Sequence, residues 1–258
     1  MLERWKKNKP SGKEMTLTEH LSELRSRLIK ALLPVGFFFF LAMLEINPLI
    51  AFLKNRLPAD LYFNSPAEAL WVGIKVAFFA GVFLAMPFIL YQGWKFVEPG
   101  LEKEEKKMAL PFILGGSFFF LLGLFFCYFV VLPFALRYLL QVGTDMGIKP
   151  QIIFSGYIDF VLKFLLAFGL IFMTPVGLVV LGKAGIVTAG WLSKNRKYAI
   201  VVNSILSAIL TPTPDVFNML LMMIPLLILY EIGIWGIRLF GRKAPKPDFK
   251  SSAEAPQR

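Results

Sequence analysis

The stretch ALPFILGGSFFFLLGLFFCYFVVLPF, Ala109 to Phe134, holds no charged residue in 26 positions, and eight of them are Phe. As a helix it reaches about 39 Å at 1.5 Å per residue, more than the roughly 30 Å of hydrocarbon in a bilayer. A soluble fold has no core large enough for a run this apolar on every side, so lipid is its natural solvent. The rest of the 258-residue chain agrees: 57% of it is hydrophobic, 27 residues are Phe, and charged residues make up 17%, where soluble domains carry about 25%.

Five more segments read the same way: Leu28 to Ile46, Trp71 to Gln92, Tyr157 to Gly182, Tyr198 to Leu210 and Val216 to Ile237. The first is not a cleaved signal peptide, because a long polar stretch precedes it and no small-residue cleavage site follows. The fifth has 13 residues, and the sixth only 15 before Glu231 interrupts it. At about 20 and 23 Å both are short for a bilayer. The connector Thr211-Pro212-Thr213-Pro214-Asp215 extends neither helix, since proline blocks propagation. Two readings stay open: a buried re-entrant hairpin with four crossings in all, or two short spans with six. Prolines 34, 87, 111, 133, 175 and 225 lie in or beside the spans and predict kinked helices in a concave bundle. The fold class is therefore an all-α integral membrane protein. Residues 1–15 form a basic tail, 16–240 the membrane domain, and 241–258 a tail expected to be disordered.

The net charge of +11 is distributed by side. Seven Lys and Arg precede Leu28, four lie in Gly93 to Met108, four in Lys183 to Lys197 and six from Arg238 onward, against Lys54, Arg56, Arg137 and Lys149 on the other side. The positive-inside bias puts both termini in the cytoplasm and removes the reason to read the charge as nucleic-acid binding. One cysteine, Cys127, and one histidine, His20, leave no disulfide and no recognisable metal site. No HExxH, GxSxG or Walker A pattern occurs, so neither an enzyme nor a cofactor is expected.

Acidic residues on the cytoplasmic side stand out against that bias. Leu17, Leu21, Leu24 and Leu28 form one stripe of a helix, Thr16 with Glu19 reads as a capping box, and Glu19, Glu23 and Arg27 share another face. Glu23 either pairs with Arg27 one turn on or serves a ligand. Glu98, Glu102, Glu104 and Glu105 sit among Lys95, Lys103, Lys106 and Lys107, either as a solvated face or as a second carboxylate group. Carboxylates from two such segments could hold two guanidinium groups in bidentate fashion, a geometry that lysine matches poorly. Within the spans, Lys75 can snorkel outward, Asp159 and Lys163 can neutralise one another, and Asp215 suits a helix N-cap. The competing reading is a small-solute transporter lined by Lys75, Asp159 and Lys163, against which no internal repeat is visible.

Several segments together resemble the TatC family, receptor subunits of the twin-arginine translocase. They are Glu19-His20-Leu21-Ser22-Glu23-Leu24-Arg25-Ser26-Arg27-Leu28, then Pro87 to Leu101 (PFILYQGWKFVEPGL), Tyr128-Phe129-Val130-Val131-Leu132-Pro133, Ala167-Phe168-Gly169, and Leu210 to Val216-Phe217. They occur in family order over nearly the whole chain. The resemblance implies six helices in a glove-shaped bundle, a short fifth and sixth helix, and both termini in the cytoplasm, in the cytoplasmic (inner) membrane. It implies binding of twin-arginine signal peptides on folded cargo, assembly with the single-span proteins TatA and TatB, self-association, and export driven by the proton-motive force. By position, Glu23 and Glu105 would bind the signal, with Arg25, Phe96 and Pro99 shaping the site, and Pro48, Pro87 and Asp215 would match other positions of functional weight. Two positions depart from the family. Met173, before Thr174-Pro175, replaces a frequent Glu, and Asn218-Met219 stands where a Gln often follows. The adjacent Thr174 and Asn218 are the polar groups left for contact with a partner helix.

Overall fold

The computed structural model describes residues 17–57, 59–100, 106–210 and 215–240. The basic tail to residue 15, Thr16 of the capping box, residues 101–105 with Glu102, Glu104 and Glu105, the 211–214 connector and the tail from 241 lie outside the described residues. In chain order come α1 (Leu17–Leu44), α2 (Ile46–Lys54), β1 (Leu61–Tyr62), α3 (Glu68–Leu84), α4 (Met86–Val97), a 3-10 turn (Glu98–Gly100), and α5 (Ala109–Phe126). A π turn (Cys127–Val131), α6 (Leu132–Asp145), β2 (Ile152–Ile153), α7 (Phe154–Phe172), α8 (Thr174–Lys183), α9 (Ala189–Lys194), α10 (Arg196–Leu210) and α11 (Val216–Phe240) complete it.

All six apolar segments are helical. Among the described residues four helical stretches, Thr18–Leu44, Ala109–Asp145, Phe154–Lys183 and Val216–Phe240, are long and apolar enough to cross a membrane, and α3 with α4, bent by 57°, makes a fifth if the pair is one broken span. Helix α10 stays short at 15 residues, while α11 runs to 25. Its apolar stretch ends at Tyr230, yet the helix continues, because both oxygens of Glu231 accept from Arg196, from Nε at 2.6 Å and Nη2 at 2.9 Å. The Tyr230 hydroxyl adds a bond to the Leu192 carbonyl at 3.0 Å.

Proline explains the breaks. Pro87 lies in the first turn of α4, just past the bend, where it lacks the N–H that would continue the α3 ladder. Pro133 does the same to the carbonyl of Phe129, and the chain answers with a π turn in which the Leu132 N–H reaches back to the Cys127 carbonyl. Pro175 follows the break at Met173. Pro34 and Pro225, in contrast, sit inside unbroken helices, and Pro111 falls in the first turn of α5, where no ladder bond is lost.

Helix α7 is the centre of the bundle, with Ile158, Val161, Phe164 and Phe168 fully buried. It meets α5 through glycine. A Cβ on Gly123 would lie 2.5 Å from the Phe168 carbonyl oxygen and 3.0 Å from the Gly169 Cα. Lipid is as apolar as leucine, so helices gain adhesion from such close backbone approach rather than from leaving water. The opposite stripe of α5, Leu110, Leu114, Phe118, Leu121 and Phe125, is exposed, as a lipid-facing surface should be.

Polar contacts gather at the two ends of the bundle. At one end the Glu68 carboxylate accepts from the Asn64 and Ser155 backbone N–H groups, each at 2.7 Å, beside a parallel β1–β2 pairing of Leu61 with Ile152 and Tyr62 with Ile153. The Tyr128 and Tyr157 hydroxyls donate to the Phe52 and Leu53 carbonyls, satisfying acceptors in the last turn of α2, and the Arg56 guanidinium lies 4.6 Å from the Tyr128 and Phe129 ring centres. Here the structure corrects one expectation. Asp159 pairs not with Lys163 but with Lys75 of α3, at 2.8 and 3.0 Å. The packing of α3 on α7 brings the Lys75 ammonium to both carboxylate oxygens, whereas Lys163 faces outward and is exposed.

Two expectations follow. Gly123→Leu should cost about 1–3 kcal/mol by forcing α5 off α7, while Gly36→Ala, with nothing within 4 Å of the added carbon, should cost nothing; denaturant unfolding in detergent compares them. Lys75→Asp should lower thermal stability slightly, by at most about 1 kcal/mol for so exposed a pair, and the exchange Lys75→Asp with Asp159→Lys should restore it, while Lys163→Gln leaves the melting curve in place.

Candidate functional site

The N-terminal turns of α1 and the C-terminal turns of α4 meet at the end of the bundle opposite the Lys75–Asp159 pair. Helix α1 is continuous from its polar start into its apolar part because nothing between Leu17 and Leu33 breaks the ladder, and Leu21, Leu24 and Leu28 stay exposed as a stripe. The His20 ring stacks on Phe96 of α4 with centres 4.4 Å apart. One turn along, Glu23 is mostly buried, its side chain 16% exposed, and one carboxylate oxygen, Oε1, accepts from Arg27 Nη2 at 3.2 Å. The other oxygen, Oε2, is buried and has no hydrogen-bond partner among the described residues. The i,i+4 pair is therefore formed, but it uses half of the carboxylate.

Helix α4 contributes a similar surplus. Gln92, one turn before Phe96 on the same face, has a buried Oε1 with no described partner, and so has the indole Nε1 of Trp94. The Trp94 ring itself packs 5.1 Å from Phe112. A buried polar atom left unpaired costs about 1–3 kcal/mol, and two such acceptors at one corner of a membrane protein mark a place where donors belong. Beyond Phe96, Lys95 donates to Glu98 at 2.6 Å, and this bond holds the Glu98 carboxyl below its ordinary range. Pro99 is exposed in the 3-10 turn that leads into residues 101–105.

The remaining sequence candidates fall in three places. Arg25, two residues from Glu23 and so on the far side of α1, is exposed, and Glu105 lies outside the described residues. Pro48 is exposed in the first turn of α2, and Pro87 follows the α3–α4 bend. Asp215 caps α11, its carboxylate accepting from the Asn218 N–H at 2.7 Å and from the Asn218 side-chain amide at 2.8 Å.

The two departures from the family pattern have local partners. Met173 packs against the Met86, Leu90 and Phe120 cluster, and the Thr174 hydroxyl donates to the Ile171 carbonyl at 2.6 Å. Ser207 of α10 donates to the Met219 carbonyl, and Asn203, Ser207 and Asn218 are buried. Sequence reading passed over Asn203 and Ser207, although their i,i+4 spacing inside a short apolar span was the signal. It also quoted Gln92 without singling it out; a lone amide at the end of an apolar run, one turn before Phe96, was the clue.

Known proteins with these features are close at hand. Residues 19–225 match the family described as Sec-independent protein translocase protein (TatC). The Aquifex aeolicus protein named Sec-independent protein translocase protein TatC is 43% identical over 238 residues, covering 89% of this chain and 97% of its own. The Bacillus subtilis protein named TatCy is 37% identical over 236 residues, with 90% and 92% covered. A crystal structure titled twin arginine translocase receptor TatC, in DDM, superposes with a TM-score of 0.74 at 42% identity, covering 84% of this chain and 98% of that one. With its helical membrane bundle and a family match over most of its length, the chain belongs to the TatC family, a family of membrane-embedded protein translocase components and not of enzymes.

Proposed function

We propose that the α1–α4 corner binds the paired arginines of a twin-arginine signal peptide on folded cargo. The observation that carries this reading is the buried, unused Oε2 of Glu23. With the Gln92 carbonyl oxygen it offers acceptors to a guanidinium, which carries five donors and no acceptor. Glu105, in the segment that follows Pro99, would supply the second carboxylate, so that each arginine meets one acid. Phe96, stacked on His20, gives a guanidinium a surface to stack on, and Arg25, exposed on the outer side of α1, would shape the edge of the site.

The same reading puts both termini in the cytoplasm and the chain in the cytoplasmic (inner) membrane, in keeping with the Lys and Arg bias. TatA and TatB would dock as single helices, the complex would contain more than one copy of this chain, and the proton-motive force would drive export without any cofactor. Met173, Thr174 and Met219 would then contact partner helices through shape more than through hydrogen bonds, because the Thr174 hydroxyl donates inside this chain, and Asn218, fully buried and with its amide donating to Asp215, would act on that contact by holding the start of α11 in place. Pro48, Pro87 and Asp215 act here as determinants of helix direction.

Binding of a fluorescent twin-arginine peptide to the purified protein in detergent tests the site. Glu23→Lys with Glu105→Lys should abolish binding and leave the weak binding of a two-lysine peptide unchanged. Glu23→Gln alone should weaken binding about 10- to 100-fold, the worth of one charge-assisted hydrogen bond of roughly 1.5–3 kcal/mol, and Gln92→Leu about fivefold, the worth of a neutral one. Undiminished binding by the double variant would sink the assignment.

A further inference from the structure

Between α5, α8 and α11 runs a groove of about 480 Å³ that the signal site does not use. Val176 and Val180 of α8 form its floor, Phe112 and Phe119 of α5 one wall, and Trp235 of α11 the other. Its lining is apolar except at one end, where Lys183 closes α8. Among the described residues the Lys183 ammonium has one hydrogen-bond partner, the Met108 thioether at 2.9 Å. Sulfur is a weak acceptor and an ammonium has three donors to satisfy, so a half-buried positive charge stands at the mouth of an apolar slot with no counter-charge among the described residues.

The position narrows the occupant. Lys183 and Met108 lie where α8 ends and α5 begins, on the same side as the α1–α4 corner; with these apolar helices spanning a bilayer, that level would meet the headgroups. Trp235, exposed beside them, is the side chain that favours this depth. The volume of about 480 Å³ lies within the roughly 300–1,000 Å³ of small-ligand sites. The occupant must be narrow and apolar along its length and negative at one end, and basic pockets between membrane helices do take anionic lipid headgroups.

We propose that this groove is a binding site for one anionic phospholipid, with an acyl chain lying along Val176 and Val180 and the phosphate on Lys183. The site rests on the orientation proposed above only in naming the leaflet, which would be the inner one. A bound lipid would lie over the seam where α11 packs on α8 and would replace the thioether as the partner of the ammonium.

Native mass spectrometry of the full-length protein, titrated with phosphatidylglycerol and separately with phosphatidylcholine, tests this without any signal peptide. The wild type should retain one phosphatidylglycerol more strongly than phosphatidylcholine. Lys183→Gln should lose about fivefold of that preference, the order expected for one basic residue at an anionic leaflet, and Lys183→Arg should keep it. Equal retention by Lys183→Gln and the wild type, or no preference between the two lipids, would overturn the proposal. A photoreactive side chain at Trp235 in native membranes gives an independent reading: capture of phospholipid supports the site, and capture of a protein helix or a second copy of this chain overturns it.

Discussion

The bundle depends on how closely α5 can approach α7. In lipid a Phe gains little by touching a neighbouring helix instead of an acyl chain, so adhesion comes from packing at short range. Gly123 and Gly169 allow it: the missing side chains let the Phe120 ring and the Phe168 carbonyl fill the space. With α7 fixed against α5, its remaining faces set where α3, α10 and α11 can lie. The Lys75–Asp159 pair and the Tyr157 bond to α2 are consequences of that placement.

Polarity is sorted along the membrane normal. One end is tied by backbone-satisfying bonds, with Glu68 holding two loops and two tyrosines capping α2. Among the described residues, three buried polar atoms without a partner gather at the other end, at Glu23, Gln92 and Trp94, against Arg56 Nε at the first. The first arrangement rigidifies and the second invites a ligand. Among the described residues the buried polar side chains are Asn203, Ser207 and Asn218, in the seam between α10 and α11, where the bond from Ser207 to the Met219 carbonyl fixes the register of two helices that apolar contact alone would let slide.

The sequence made the membrane spans legible because twenty apolar residues admit one physical explanation. Prolines 87, 133 and 175 marked breaks correctly, but Pro34 and Pro225 did not break their helices, since neighbouring packing decides whether a lost ladder bond becomes a bend. Asp159 illustrates a different limit: spacing along one helix suggested Lys163, and a residue 84 positions away took its place. No local pattern contains that information. The length of α11 was hidden for the same reason, because Glu231 reads as an interruption until Arg196 is set beside it. At the candidate site, Glu23 and Phe96 were readable from their motifs, while the unused oxygen of Glu23 and the role of Gln92 needed the contact between α1 and α4.

The bend before Pro87 has a mechanical consequence. A continuous helix resists bending through its hydrogen-bond ladder, and here the ladder is already interrupted, so changing the angle between α3 and α4 breaks no further bond. The α3–α4 joint is therefore compliant. On one side of the joint α3 is held by its packing along α1 and α7, and on the other α4 carries Gln92 and Phe96 as a short lever pressed against α1. A displacement at the α1–α4 corner can therefore be taken up as rotation about the joint, with little strain passed on to α3.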